Sequence, residues 1–172
     1  MSPSDPPPIH GGAVDAVVGL LDRERLMSLA VNRPDGWPQV TTVGYLNEGL
    51  NLYFIVARTS QKLANLQADP RASAAIRCGA GAHGDAVGVS LAGRVREVLD
   101  PVKIERLNTL VAARHPDLHV WCPGDDAIAV LHLRPAIVSS VGVIDGRSNA
   151  RTFSIGDAGE DASAAGTESR LF

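Results

Sequence analysis

The sequence predicts a mainly β fold with inserted helices, an antiparallel barrel of about six strands. Three observations point there. Runs rich in Val, Ile, Thr and Tyr recur at strand length along the chain. Compact turn sequences, Pro34-Asp35-Gly36 and Asn47-Glu48-Gly49, join the early runs as hairpins would. Helical spacing is confined to short stretches between strands. With 172 residues, 45% of them hydrophobic, the chain suffices for one domain with a real core.

Residues 1–12 are rich in Pro, Ser and Gly and are expected to form a disordered leader. The leader lacks the basic and apolar regions of a signal peptide. The domain is expected over residues 13–155. Val14, Val17, Val18 and Leu21 fall on one helical face. Leu26–Asn32, Val40–Tyr45 and Leu50–Val56 then read as strands of a meander. A short helix follows from about Ser60 to Ala68, stopped by Asp69-Pro70.

Ala72–Cys78 and Val87–Arg96 read as two more strands, joined by the glycine-rich loop Gly79–Asp85. That loop lacks the Lys-Ser/Thr of a phosphate-binding P-loop and is expected to be a connector. Asp100-Pro101 is an N-cap followed by proline, the start of a helix that buries Ile104, Leu107 and Val111 and ends at His115-Pro116. The last long β segment, Ala127–Val143, contains Pro135, which should bend it or place it at a sheet edge. Residues 156–172 are Gly-, Ala-, Ser- and acid-rich and are expected to form a disordered tail.

Composition narrows the function. A net charge of −3 does not favour non-specific nucleic-acid binding, and no apolar run approaches a membrane span. Cys78 and Cys122 are too few for a disulfide framework or a four-ligand zinc site, so a reducing, cytoplasmic setting is expected. His115 and His119 are four apart, but Pro116 breaks any helix that would align them on a metal. His132 alternates with Val130 and reads as a barrel-surface or interface residue. Trp121-Cys122-Pro123 reads as a loop anchor.

The most informative stretch is Phe54–Pro70. A strand ending in Ile55 and Val56 delivers Arg58, Thr59, Ser60, Gln61 and Lys62 to the start of a helix. Unpaired backbone N–H groups and the positive end of the helix dipole gather there. Two cations and two hydroxyls at that place suit a phosphate or another anion. Ordinary helix capping and surface charge explain the same residues without a ligand.

With the elements in this order, the chain resembles the flavin-binding split-barrel superfamily of pyridoxamine 5′-phosphate oxidase. Asp35-Gly36-Trp37-Pro38-Gln39-Val40-Thr41-Thr42-Val43 is similar to the family's G-x-P-x-v-t-x-v strand. Thr59-Ser60-Gln61-Lys62, with Leu66 and Asp69-Pro70, resembles its S-x-K-x-x-x-L-x-x-N/D-P segment. Leu91-Ala92-Gly93-Arg94-Val95 is similar to v-x-G-x-v, and His132-Leu133-Arg134-Pro135 to the closing l-x-P strand. The resemblance implies a six-stranded split barrel working as a homodimer, with FMN, or in some branches the deazaflavin F420, in a groove between protomers. Ser60 and Lys62 would hold the phosphate, with Arg58 and Thr59 helping and Gln61 beside them. Thr41, Thr42 and Val43 would pass beneath the isoalloxazine ring, flanked by Ile55 and Val56. The implied activity is flavin-dependent oxidoreduction of a small molecule, with no catalytic side chain singled out. A non-enzymatic flavin- or heme-binding module is the alternative, since some relatives bind heme through a histidine. Gln39 and Gly88 replace the oxidase's basic and glutamine residues, and Asp145–Arg151 has no close match to its C-terminus, which argues against pyridoxamine phosphate as substrate.

Overall fold

The computed structural model describes residues 5–80, 86–116, 126–144 and 147–156. Helix α1 spans Gly12–Leu21, α2 Gln61–Ala68 and α3 Pro101–Arg114. The strands are β1 (Leu26–Asn32), β2 (Pro38–Gly44), β3 (Leu46–Glu48), β4 (Asn51–Ala57), β5 (Arg71–Ala80), β6 (Ala86–Glu97), β7 (Ile128–Ile144), β8 (Arg147–Ser148) and β9 (Arg151–Ser154). They form one sheet in the order β2-β1-β5-β6-β7-β4-β3, with β8 and β9 on the far half of β7.

β2 and β3 stand at opposite ends of that order, yet only Tyr45 separates them in the chain. The sheet therefore curls until its two edges are halves of one bent stretch. Counted once, that stretch leaves the six barrel segments expected from the sequence. Tyr45 holds the bend: its N–H donates to the Arg25 carbonyl and its hydroxyl to the Leu21 carbonyl. The turn expected at Asn47-Glu48-Gly49 falls two residues later, because Asn47 and Glu48 pair with β4 and Gly49 takes the positive φ of 56°.

The barrel interior is packed by Leu29, Phe54, Leu91, Leu133 and Val138, closed by Val17 and Leu21 of α1 and by Leu63 and Leu66 of α2. A second cluster lies on the outer face, where Leu107 and Val111 of α3 cover Leu46, Tyr53 and Val130.

Pro135 is not at an edge, as the sequence allowed. It is buried at a β-bulge in the middle of β7, where Ala92 faces Ile137 and Gly93 faces Pro135. The extra residue, Ala136, switches which side chains face inward, from Leu131 and Leu133 before it to Val138 and Ser140 after it. Pro135 also lies between the stretch of β7 that pairs β4 and the stretch that pairs β9, where its missing N–H interrupts no ladder. Gly93 is required there, since a Cβ would come within 2.0 Å of the Arg134 carbonyl oxygen.

Within the leader expected over 1–12, Ser154 donates its N–H to the Pro7 carbonyl, Ile9 donates to the Ser154 carbonyl, and Ile9 is buried. The tail over 157–172, residues 81–85 of the glycine-rich loop, His119, and Trp121-Cys122-Pro123 lie outside the described residues.

Candidate functional site

β2 and β4 are linked through β3 only near Tyr45. Beyond that point β2 pairs with β1 alone and β4 with β7 alone, so the barrel is split between them. Helix α2 packs against β1 and β4 and sends Leu63 and Leu66 into the core. The split thus brings an unpaired edge of β2, the end of β4 and the start of α2 into one region. Every candidate residue belongs to one of these three pieces.

Ser60 is the N-cap of α2, with extended backbone, and its hydroxyl accepts from the Leu63 N–H at 3.2 Å. Its own O–H proton remains available to an anion. Thr59 is exposed. Lys62 is half-buried and has no acidic partner among the described residues. Burial alone holds its ammonium below the usual lysine range. Arg58 differs: its guanidinium is already paired with Glu97 of β6 at 2.6 Å.

A row of amides ties the helix to β2. Gln61 donates to the Asn65 side-chain oxygen at 3.0 Å, and Asn65 donates to the Gln39 side-chain oxygen at 3.1 Å. Asn65 is buried within an otherwise apolar helix face, so this row fixes the distance from α2 to β2. Its sequence signal is the i, i+4 spacing from Gln61; Gln39 is marked only by its place in the β2 motif. Beside the row is a cleft of about 330 Å³ lined by Arg33, Pro34, Asp35, Gln61 and Asn65. The Trp37 backbone N–H, and then Arg33, hold the Asp35 carboxyl below the usual range, which fixes it as an anion there.

Along β2 the faces alternate. Thr41 and Val43 stand opposite Leu29 and Met27 and point inward, whereas Thr42 points outward opposite Ser28. Thr41 Oγ1 is enclosed and has no hydrogen-bond partner among the described residues. Ile55 and Val56 likewise part company: Val56 belongs to the interior core and Ile55 is exposed on the outer face. His132 stands opposite Tyr53 of β4, two residues along the same outer face from Ile55. Its ring stacks on Tyr53 at 4.7 Å and its Nε2 bonds the Asn51 side-chain oxygen at 2.9 Å. Among the described residues no cluster of His, Cys, Asp and Glu could hold a metal, and no helix is long and apolar enough to cross a membrane.

A half-buried ammonium without an acidic partner among the described residues is the unmet polar need at the start of α2, and a phosphate-bearing cofactor suits it. The Thr41 hydroxyl instead faces the packed interior.

Solved structures of similar shape include an F420 reductase, at a TM-score of 0.56 and 24% identity over 70% of this chain and 93% of that one. An FAD-binding protein from Mesorhizobium loti aligns at a TM-score of 0.59 and 21% identity, covering 73% of this chain and 91% of that chain. A heme-binding protein from Mycobacterium smegmatis aligns at 0.62 and 23% identity, over 84% of this chain and 59% of that one. At such identities the likeness is one of fold. No curated protein matches the chain. The family model for pyridoxamine 5′-phosphate oxidase matches residues 13–142, a span that takes in β1 to β6, α2, α3 and nearly all of β7. The chain belongs to the pyridoxamine 5′-phosphate oxidase family.

Proposed function

We propose that the chain is an oxidoreductase that binds FMN in the split between β2 and β4 and acts on a small molecule as a homodimer. The observation that carries this reading is Lys62, a half-buried cation at the start of α2 without an acidic partner among the described residues. A phosphate dianion placed there meets one full charge, the N-terminal amides of α2 and the hydroxyl protons of Thr59 and Ser60. Arg58 adds little, because Glu97 already offsets it. Gln61 acts through Asn65 and Gln39 to keep the helix start at a fixed distance from β2.

The unpaired edge of β2 offers the backbone N–H and C=O of Thr42 to the polar edge of a planar ring, while Thr41 and Val43 on either side are in the hydrogen-bonded positions against Leu29 and Met27 of β1. Ile55 supplies exposed apolar surface, while Val56 stiffens the wall from the core side. When bound, the isoalloxazine supplies hydride or electron transfer, and the protein's part is binding and orientation. A ring held against backbone groups on a β surface is positioned with little side-chain entropy to lose.

F420 carries phosphate as well, so the same residues serve it, and the F420 reductase of like fold keeps that cofactor in view. Heme fits less well, since the Nε2 of His132 is engaged by Asn51. The absorption spectrum of the purified protein, followed by titration of stripped protein with FMN and F420, tests the reading. The two-banded spectrum of an oxidised flavin is expected. A single deazaflavin band moves the assignment to F420, a Soret band to heme, and a colourless chain that takes up none of them sinks the oxidoreductase reading.

A further inference from the structure

A second concentration of positive charge lies away from the split, on the outer face of β6 and β7. Residues opposite one another in antiparallel strands share a face, and here Arg94 stands opposite Arg134 and Arg96 opposite His132. On its other side Arg94 faces Arg71 of β5, which Asp69 neutralises at 2.7 Å. Arg94 and Arg96 have no acidic partner among the described residues. The adjacent carboxylate, Glu97, is committed to Arg58.

Like charges directly opposite one another weaken a sheet. This juxtaposition is also built in, because the Gly93–Pro135 bulge sets the register that brings Arg94 to Arg134. The four side chains line a cavity of about 370 Å³, with Pro135 and Ile155 as an apolar wall. Stacking on Tyr53 and the bond to Asn51 hold the His132 ring in that wall.

We propose that this cavity is a binding site for a small molecule carrying a diphosphate. Neighbouring strands are about 4.8 Å apart and alternate residues about 7 Å apart, so the arginines surround one small volume from two directions. The guanidiniums of Arg94 and Arg96 can each grip a phosphate through two parallel N–H donors, which matches a pair of adjacent phosphates better than a single carboxylate. The volume is that of a small-ligand pocket, and the apolar wall suits the organic part of such a molecule. The site is independent of the groove at α2 and of what binds there.

Calorimetric titration of the full chain with inorganic pyrophosphate, against sodium chloride of equal ionic strength, tests the proposal. Saturable binding is expected. Arg94→Gln and Arg96→Gln, both exposed and checked for folding by circular dichroism, should each weaken it about tenfold or more, and saturable binding should persist in Lys62→Ala, where the α2 groove can no longer account for the probe. Heats no different from the chloride control overturn the proposal. So does undiminished affinity in both arginine variants, or loss of binding in Lys62→Ala, which would put the probe at α2.

Discussion

Lys62 and Arg58 stand four residues apart in one basic cluster, but their surroundings assign them different weight. Lys62 is half-buried and unneutralised among the described residues, whereas the Arg58 charge is offset by Glu97. Lys62→Ala is therefore expected to weaken FMN binding by about 1.5–3 kcal/mol, the range for a hydrogen bond to a charged group. Arg58→Ala should cost clearly less. Fluorescence titrations of the two variants check this, and equal losses would mean that Arg58 leaves Glu97 to reach the phosphate. The Ser60 cap is legible in sequence because capping is local, reaching only to Leu63. The Arg58–Glu97 pair spans 39 residues and depends on how β4 and β6 flank β7, which no local pattern records. The inward turn of Thr41 and the outward turn of Thr42 follow from alternation, but only once Leu29 has shown which face is the interior.

At the scale of elements, α3 is fastened to the barrel by charge as well as by Leu107 and Val111. Glu48 of β3 pairs with Lys103 and with Arg106, and the Lys103 ammonium lies 5.1 Å from the centre of the Tyr53 ring. Burial alone would raise the Glu48 carboxyl, but Lys103 and then Arg106 outweigh it and hold the group below its ordinary value of 4.5. A carboxylate depressed in the folded state contributes stability that is present above that ordinary value and lost as pH falls through the folded one. Glu48→Gln should thus melt below the parent at neutral pH, with the gap closing as the pH drops below about 4.5. Melting curves across that range decide it, and a gap that stays constant with pH would show that the ion pairs contribute nothing. Asp100-Pro101 announces α3 because a cap and a proline act within one turn. Pro135 is ambiguous in sequence, since an edge and a bulge both tolerate a missing N–H. The choice is made by Gly93 on the neighbouring strand, whose missing side chain admits the Arg134 carbonyl.

For the whole molecule, the outer face of β2, β1, β5 and β6 is left uncovered by the described residues of the single chain. Register places Ser28, Ala30, Ser73, Ala75 and Ala92 side by side across it. Val40, 62% exposed, and Trp37, 73% exposed, border this flat surface. Small side chains let two sheets approach closely, and exposed apolar rims beside them mark an association surface. A second copy seated there would lie next to β2 and so beside the split, completing a groove that one protomer leaves open. Ala30→Glu puts a charge at the centre of the face without touching Lys62, Ser60 or the β2 edge. Light scattering after size exclusion should find the parent dimeric and this variant monomeric. Its FMN affinity should fall although every proposed phosphate contact is intact, because burying an unpaired carboxylate at the interface costs more than the lost contacts return. A parent that runs as a monomer, or a variant that remains dimeric with parental affinity, would move the shared surface elsewhere on the barrel. A monomeric variant that binds FMN at full strength would instead show that one chain builds the whole cofactor site.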